Sequence, residues 1–154
     1  MGKYSEKRAK KNEQKALDLL NAKYGEFKMA TGKYSEYDIF GRDNSGIPIL
    51  IECKERSQWW PHMWIEKAKL ISIFNIGKQN PKKNTQYFLI CNVGDEFLLY
   101  DMKCIWRDGK TQMREMKDKT AFGDQNKVNK EVISFRQDNW VLNLTTGETC
   151  YECK

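Results

Sequence analysis

The amino-acid sequence predicts an α/β fold, a central β-sheet flanked by helices with additional strands towards the C-terminus. Three observations carry this expectation. Residues 5–24 form a helix-prone stretch without proline or glycine, two β-prone runs at 34–40 and 47–54 flank a cluster of turn formers, and a helical pattern at 61–76 precedes two more β-prone runs. Such a mixture of strands and helices must bury a sheet under helices.

The opening stretch is rich in Lys, Glu, Ala, Leu and Gln, all good helix formers. Its apolar stripe runs Ala9, Ala16, Leu17, Leu20 and Tyr24 at helical spacing. Glu13 falls on that stripe, four residues after Ala9 and four before Leu17. An acidic residue there either reaches the core or snorkels past its edge, and it reads as a carboxylate directed at the elements that follow.

The two β-prone runs are Tyr-Ser-Glu-Tyr-Asp-Ile-Phe at 34–40, containing Asp38, and Ile-Pro-Ile-Leu-Ile-Glu-Cys-Lys at 47–54. Between them lies Gly-Arg-Asp-Asn-Ser-Gly, which predicts an antiparallel hairpin. In the second run the period of two places Leu50, Glu52 and Lys54 on one face and Ile49, Ile51 and Cys53 on the other. Burying a carboxylate and an ammonium at the end of an apolar strand is costly unless they are paired or hold a metal. A turn centred near residues 43–46 sets Asp38 across from about Ile51, with its carboxylate close to that of Glu52. Two carboxylates and a lysine on adjacent strands make a hard-oxygen site for magnesium or manganese with a cation beside it.

Glu13, Asp38 and Glu52-Cys53-Lys54, in the order helix-Glu, hairpin-Asp, strand-Glu-x-Lys, resemble the PD-(D/E)XK nuclease superfamily, the restriction-endonuclease-like fold. The wording Ile-Glu-Cys-Lys looks most like the Holliday-junction-resolvase and related phage or archaeal branch. The resemblance covers roughly residues 5–95, and it departs from the family pattern at Tyr37, where a proline often precedes the aspartate. It implies a restriction-endonuclease-like core with a mixed central sheet. It also implies that Asp38, Glu52 and the main-chain carbonyl of Cys53 ligate Mg2+ or Mn2+, that Glu13 binds a metal directly or through a water, and that Lys54 orients or helps deprotonate the attacking water. A lysine of the following helix, Lys67 or Lys69, can lean toward such a site. Plain readings stand beside these: Asp38 as a solvent-facing strand residue, Glu13 paired with a lysine, Glu52 and Lys54 as a strand-end ion pair. The apolar run leading to Glu52 favours the site.

Charge agrees with a DNA partner. The chain carries 27 basic and 21 acidic residues. Residues 1–15 hold six basic and two acidic residues (+4), residues 16–102 eleven of each, and residues 103–154 ten and eight (+2). The excess sits mainly in the first helix, and Lys7, Arg8, Lys11, Arg56 and Lys67 are candidates for contact with a phosphate backbone, which attracts cations without reading sequence. A solvated helix face would look the same.

Other chemistries find little support. The one histidine, His62, argues against a histidine-based nuclease or a Ser-His-Asp enzyme, and no glycine-rich phosphate loop is present. Cys150 and Cys153 have the spacing of half a zinc knuckle, whose missing ligands Cys91 or Cys104 could supply only if the tail folds back. Five scattered cysteines, a charged N-terminal stretch and no long apolar run predict reduced thiols and a cytoplasmic protein (host cytoplasm if the source is a phage or virus) with no membrane span.

After the hairpin, Pro61 suits the first turn of a helix over 61–76, with Met63, Lys67, Leu70, Ile71 and Phe74 at helical spacing and Gly77 as its stop. Strands are expected at 86–92 and 96–103, then a polar stretch of flexible look over 108–130, and short strands at 132–136 and 140–144. The tryptophans at 59, 60 and 64 suit core packing, base stacking or a dimer contact. The expectation is one nuclease domain over 1–154, with a core at about 5–95 and an extension at about 104–154. Its function would be metal-dependent hydrolysis of DNA phosphodiesters, as a Holliday-junction-resolvase-like homodimer or a small phage or viral repair nuclease. The alternatives are a non-catalytic DNA-binding module that keeps the fold, and an RNA-directed or protein-binding domain.

Overall fold

The computed structural model describes residues 2–32, 35–117 and 127–150, with side chains described at all of these except 2–9, 117 and 127. The described elements run α1 (Gly2–Lys23), β1 (Gly25–Met29), β2 (Ile39–Asp43), β3 (Pro48–Glu55), β4 (His62–Glu66), α2 (Lys67–Lys78), a 3-10 turn (Pro81–Lys83), β5 (Gln86–Val93), β6 (Glu96–Asp101), α3 (Met102–Asp108), β7 (Lys110–Lys117), β8 (Lys127–Arg136) and β9 (Leu142–Asn143). They build two sheets: a six-stranded one in the order β1-β2-β3-β5-β6-β9 and a three-stranded one in the order β4-β8-β7. The first is mixed, because β3 and β5 pair in parallel and its other pairs are antiparallel.

The six-stranded sheet is packed on both faces. On one, Ala16, Leu17 and Leu20 of α1 meet Phe27, Ile39, Ile49, Ile51, Ile90 and Leu99. On the other, Leu89, Cys91, Leu98 and Tyr100 meet Leu70 and Ile73 of α2, α3, and the inner face of the second sheet. Burial on both sides explains why β5 and β6 read as nearly continuous apolar runs.

The first helix and the hairpin form as expected, with β2 paired antiparallel to β3. The turn is tied by Asp43 Oδ1, which accepts the N–H of Ser45 (2.9 Å) and of Ile47 (3.0 Å), and by Gly46 at φ +83°. β2 begins at Ile39, later than the predicted run, and β1 was not foreseen.

Five expectations are corrected. The segment 61–76 is not one helix: His62–Glu66 is a strand, and α2 starts at Lys67. Met63 and Ile65 point together into the core with His62, Trp64 and Glu66 between them, a period of two that pairing with β8 satisfies. Gly77 lies inside α2 rather than ending it, and a Cβ there would run into the Tyr87 hydroxyl, so the glycine lets helix and sheet close on each other. The strand from Glu96 stops at Asp101, whose Oδ1 accepts the N–H of Lys103 (2.8 Å) and Cys104 (3.4 Å) and so caps α3. The polar stretch over 108–130 contains β7 and the start of β8, an edge ribbon whose ladder needs little apolar cover. The expected strand over 140–144 shrinks to β9.

Candidate functional site

The β2–β3 register brings Ile39 opposite Ile51 and Phe40 opposite Leu50. One step further along, Asp38 lies opposite Glu52, a single residue from the expected alignment. Asp38 is held on both sides: its N–H donates to Ile51 O (2.9 Å) and its carbonyl accepts from Ala30 N–H (2.9 Å). Its carboxylate crosses to β3, where Oδ2 accepts the N–H of Cys53 at 2.8 Å. The strand ladder thus sets the aspartate beside Glu52.

Glu52 is only 4 % exposed. Burial, and then the neighbouring Asp38 carboxylate, raise its pKa from 4.5 to about 8, while Lys54 and Lys69 oppose the rise. Two ammonium groups flank it: Lys54 Nζ lies 3.6 Å from Oε1 and Lys69 Nζ 3.8 Å from Oε2. Both are at ion-pair range, and Glu52 Oε2 has no hydrogen-bond donor despite being buried. The following helix contributes Lys69, whereas Lys67 turns to Glu131 at 3.4 Å.

Glu13 reaches the same end of β3 from α1. Burial first, then Asp38, raise its pKa from 4.5 to about 7, opposed by Lys10 and Lys54. The Cys53 thiol is pushed up by burial and by the surrounding carboxylates, so it stays protonated and the residue offers oxygen only through its carbonyl. Glu13, Asp38, Glu52, Cys53 and Lys54 therefore share one electrostatic neighbourhood.

The donor set fits a hard divalent cation. It consists of carboxylate oxygens, a main-chain carbonyl and a buried Glu52 oxygen that lacks a donor, with no soft ligand exposed among them. Among the described residues, no group of three or more His, Cys, Asp and Glu side chains is arranged to hold a metal. The site's side-chain core is the Asp38–Glu52 pair.

The candidate phosphate contacts do not form one group. Lys11 is exposed on α1, while the side chains of Lys7 and Arg8 lie outside the described residues. Arg56 is half-buried: it donates to Trp64 O (3.0 Å) and lies over the Trp64 ring at 4.5 Å. Arg114, which the sequence did not flag, lies over the same ring at 3.5 Å. No local signal could have found it, because β7 reads Lys-Thr-Gln-Met-Arg-Glu-Met-Lys and lacks an alternation of apolar and polar residues. Trp59 and Trp60 pack against the core, so base stacking by those two is not supported. The zinc expectation involving Cys153 lies outside the described residues. Cys104 is disulfide-bonded and cannot serve as a ligand, which also corrects the expectation of reduced thiols throughout.

Among solved structures, the fold is similar to Hjc of Archaeoglobus fulgidus, a Holliday junction resolvase from an archaeal hyperthermophile. The TM-score is 0.51, the identity 10 %, and the match covers 80 % of each chain. No protein-family model matches the sequence, and no curated protein matches it. A mixed sheet flanked by helices, superposable on that resolvase over most of its length, gives this chain a restriction-endonuclease-like fold.

Proposed function

We propose that this chain is a divalent-metal-dependent nuclease that hydrolyses DNA phosphodiester bonds, with branched DNA as its preferred substrate. The observation that carries the reading is the buried Glu52 carboxyl at the end of β3, facing Asp38, flanked by two lysines and with one oxygen lacking a donor. The likeness to a Holliday junction resolvase supports the choice of a nuclease and of branched DNA.

In this reading Asp38, Glu52 and the Cys53 carbonyl hold Mg2+ or Mn2+, and Glu13 assists directly or through a water. When bound, such an ion would supply charge neutralisation and lower the pKa of a water held beside it. Lys54 orients the attacking water and offsets charge that develops on the phosphate. Lys69 holds Glu52 from the helix side. The Cys53 N–H fixes the Asp38 carboxylate so that it need not reorganise. The chain acts as a single domain over residues 1–154. Cutting two strands symmetrically calls for a homodimer, and the setting is intracellular DNA repair or recombination.

The test is incubation of purified protein with plasmid, four-way junction, flap, single-strand and RNA substrates in magnesium or manganese. Cleavage of DNA that EDTA abolishes supports the proposal, and absence of any nicking in both metals overturns it. A second reading, a non-catalytic DNA-binding module, is favoured by the lack of a third acidic side chain in ligating position among the described residues. It predicts junction binding with no cutting. Among the described residues no helix is long and apolar enough to cross a membrane.

A further inference from the structure

The register of the three-stranded sheet sorts its side chains into two faces. Lys110 lies level with Ser134, Gln112 with Val132 and Arg114 with Lys130 on the β7–β8 pair, while Trp64 lies level with Ser134 and His62 with Arg136 on the β4–β8 pair. One face, with Met63, Ile65, Ile133 and Phe135, is packed into the core. The strand positions of the other carry Lys110, Arg114, Lys130 and Arg136 with Glu66 as the single acid; Glu66 lies 3.9 Å from Lys130, and Asp138, just past β8, pairs with Arg136 at 2.9 Å.

At the centre two guanidiniums share one indole, Arg114 at 3.5 Å and Arg56 at 4.5 Å from the Trp64 ring. Like charges this close repel, Glu66 offsets part of that repulsion at Arg56, and Arg56 donates to main-chain carbonyls of Glu55 and Trp64. A guanidinium stacked on an aromatic face keeps its in-plane N–H donors free, which matches the geometry of a phosphate. Arg56 lies one residue beyond the end of β3 and two after Lys54, so this cationic cluster adjoins the strand end that carries Glu52 and Lys54. The β7–β8 ladder runs through eight paired positions, from Lys110↔Ser134 to Lys117↔Lys127. That length is roughly 25 Å at the usual strand rise, enough to follow several phosphates.

We propose that this outer face, centred on Arg114 over Trp64, grips the backbone of a DNA duplex arm beside the Asp38–Glu52 site. The proposal rests on the nuclease reading and extends it, giving the C-terminal extension the task of substrate binding. The contacts are to phosphate, so they add affinity without sequence preference.

The test is fluorescence anisotropy of a labelled DNA duplex in EDTA, where nothing is cut. Arg114→Ala should raise Kd about tenfold and lower the slope of log K against log salt by about one, whereas Lys28→Ala, an exposed lysine on β1, should change Kd less than twofold. Arg114→Lys should fall between, because charge is kept and the planar fork is lost. Lys130→Glu, at the next strand on the same face, should weaken binding as well and serves if Arg114→Ala is poorly folded. An unchanged Kd in Arg114→Ala and Lys130→Glu, a loss matched by Lys28→Ala, or tighter binding of RNA than of DNA overturns the assignment. Cleavage in magnesium is a separate readout: a chain that binds DNA through this face yet never cuts loses the nuclease reading and keeps the surface.

Discussion

The six-stranded sheet is packed on both faces, whereas the three-stranded sheet is packed into the core on one and on the other surrounds a buried Val132 with half-buried and exposed polar side chains. In the first, Glu52 at the end of β3 is the one buried charged side chain among the described residues, so it meets a strongly desolvating environment. In the second, cations are spread along two strands at low cost, because water reaches them. In the proposed reading the difference separates two tasks. Chemistry on a phosphodiester needs few groups held firmly in a dry place, while holding a polyanion needs many groups that remain hydrated until it arrives.

The largest expected effect lies at the dry end. Glu52→Ala and Lys54→Ala should each lower DNA cleavage by about a thousandfold or more while leaving duplex affinity in EDTA within a few fold. If either variant cuts at near wild-type rate, the chemistry is elsewhere and the contrast between the sheets collapses. Next is pH. Glu13 and Glu52 keep their protons to about 7 and about 8 in the folded chain, against 4.5 unfolded. The folded state thus binds more protons between those values, and the stability these groups contribute is fully present below pH 4.5 and is lost as pH rises through 7 and 8. Urea midpoints in EDTA should therefore fall across that range, and Glu52→Gln should flatten most of the slope. Magnesium should restore stability on the alkaline side, since the cation takes the place of the proton. A wild-type profile without slope would sink this account of the buried carboxyls.

Much of the six-stranded sheet was legible because its signals are local. Residues 5–24 lack helix breakers, and Leu17 and Leu20 mark the buried face. The apolar run 47–51 and the Gly-Arg-Asp-Asn-Ser-Gly turn fix the hairpin to within one residue, and that alone places Asp38 beside Glu52. Glu13 stood out as an acid on an apolar stripe. What stayed hidden depends on partners distant in sequence. His62–Glu66 is five residues long, and Met63 fits a helix with Leu70 and Phe74 as well as a strand with Ile65. Only β8, about 70 residues on, decides between them. β7 exposes most of its side chains, so it carries no alternation of apolar and polar residues for a reader to find. The choice of Lys69 over Lys67 follows from where α2 begins, which the sequence misjudged.

Gly77 sharpens the comparison at the seam between α2 and the first sheet. Gly77→Ala sets a methyl against the Tyr87 ring, with Cζ 2.5 Å away, and Tyr87 is 7 % exposed and packed edge-on to Phe74. The ring must move, so overpacking should cost about 1–3 kcal/mol in urea unfolding. Because Lys69 sits two turns earlier on the same helix, cleavage should also drop modestly. An alanine there without cost would mean that helix and sheet are not closely docked.

The smallest effect concerns the junction between the two sheets. α3 is seven residues long and joins β6 of one sheet to β7 of the other, with Met102 and Ile105 buried in the core. A helix of that length gains little from its own hydrogen bonds and depends on its cap and its packing. Asp101→Ala removes the acceptor for two N–H groups and should cost about 1 kcal/mol, whereas Asp101→Asn, which can still accept, should cost less. If the three-stranded sheet is the DNA grip, loosening α3 should weaken duplex binding in EDTA before it alters the cleavage rate at saturating DNA. Equal loss in both would mean that the two sheets behave as one unit, and that the division of labour between them is wrong.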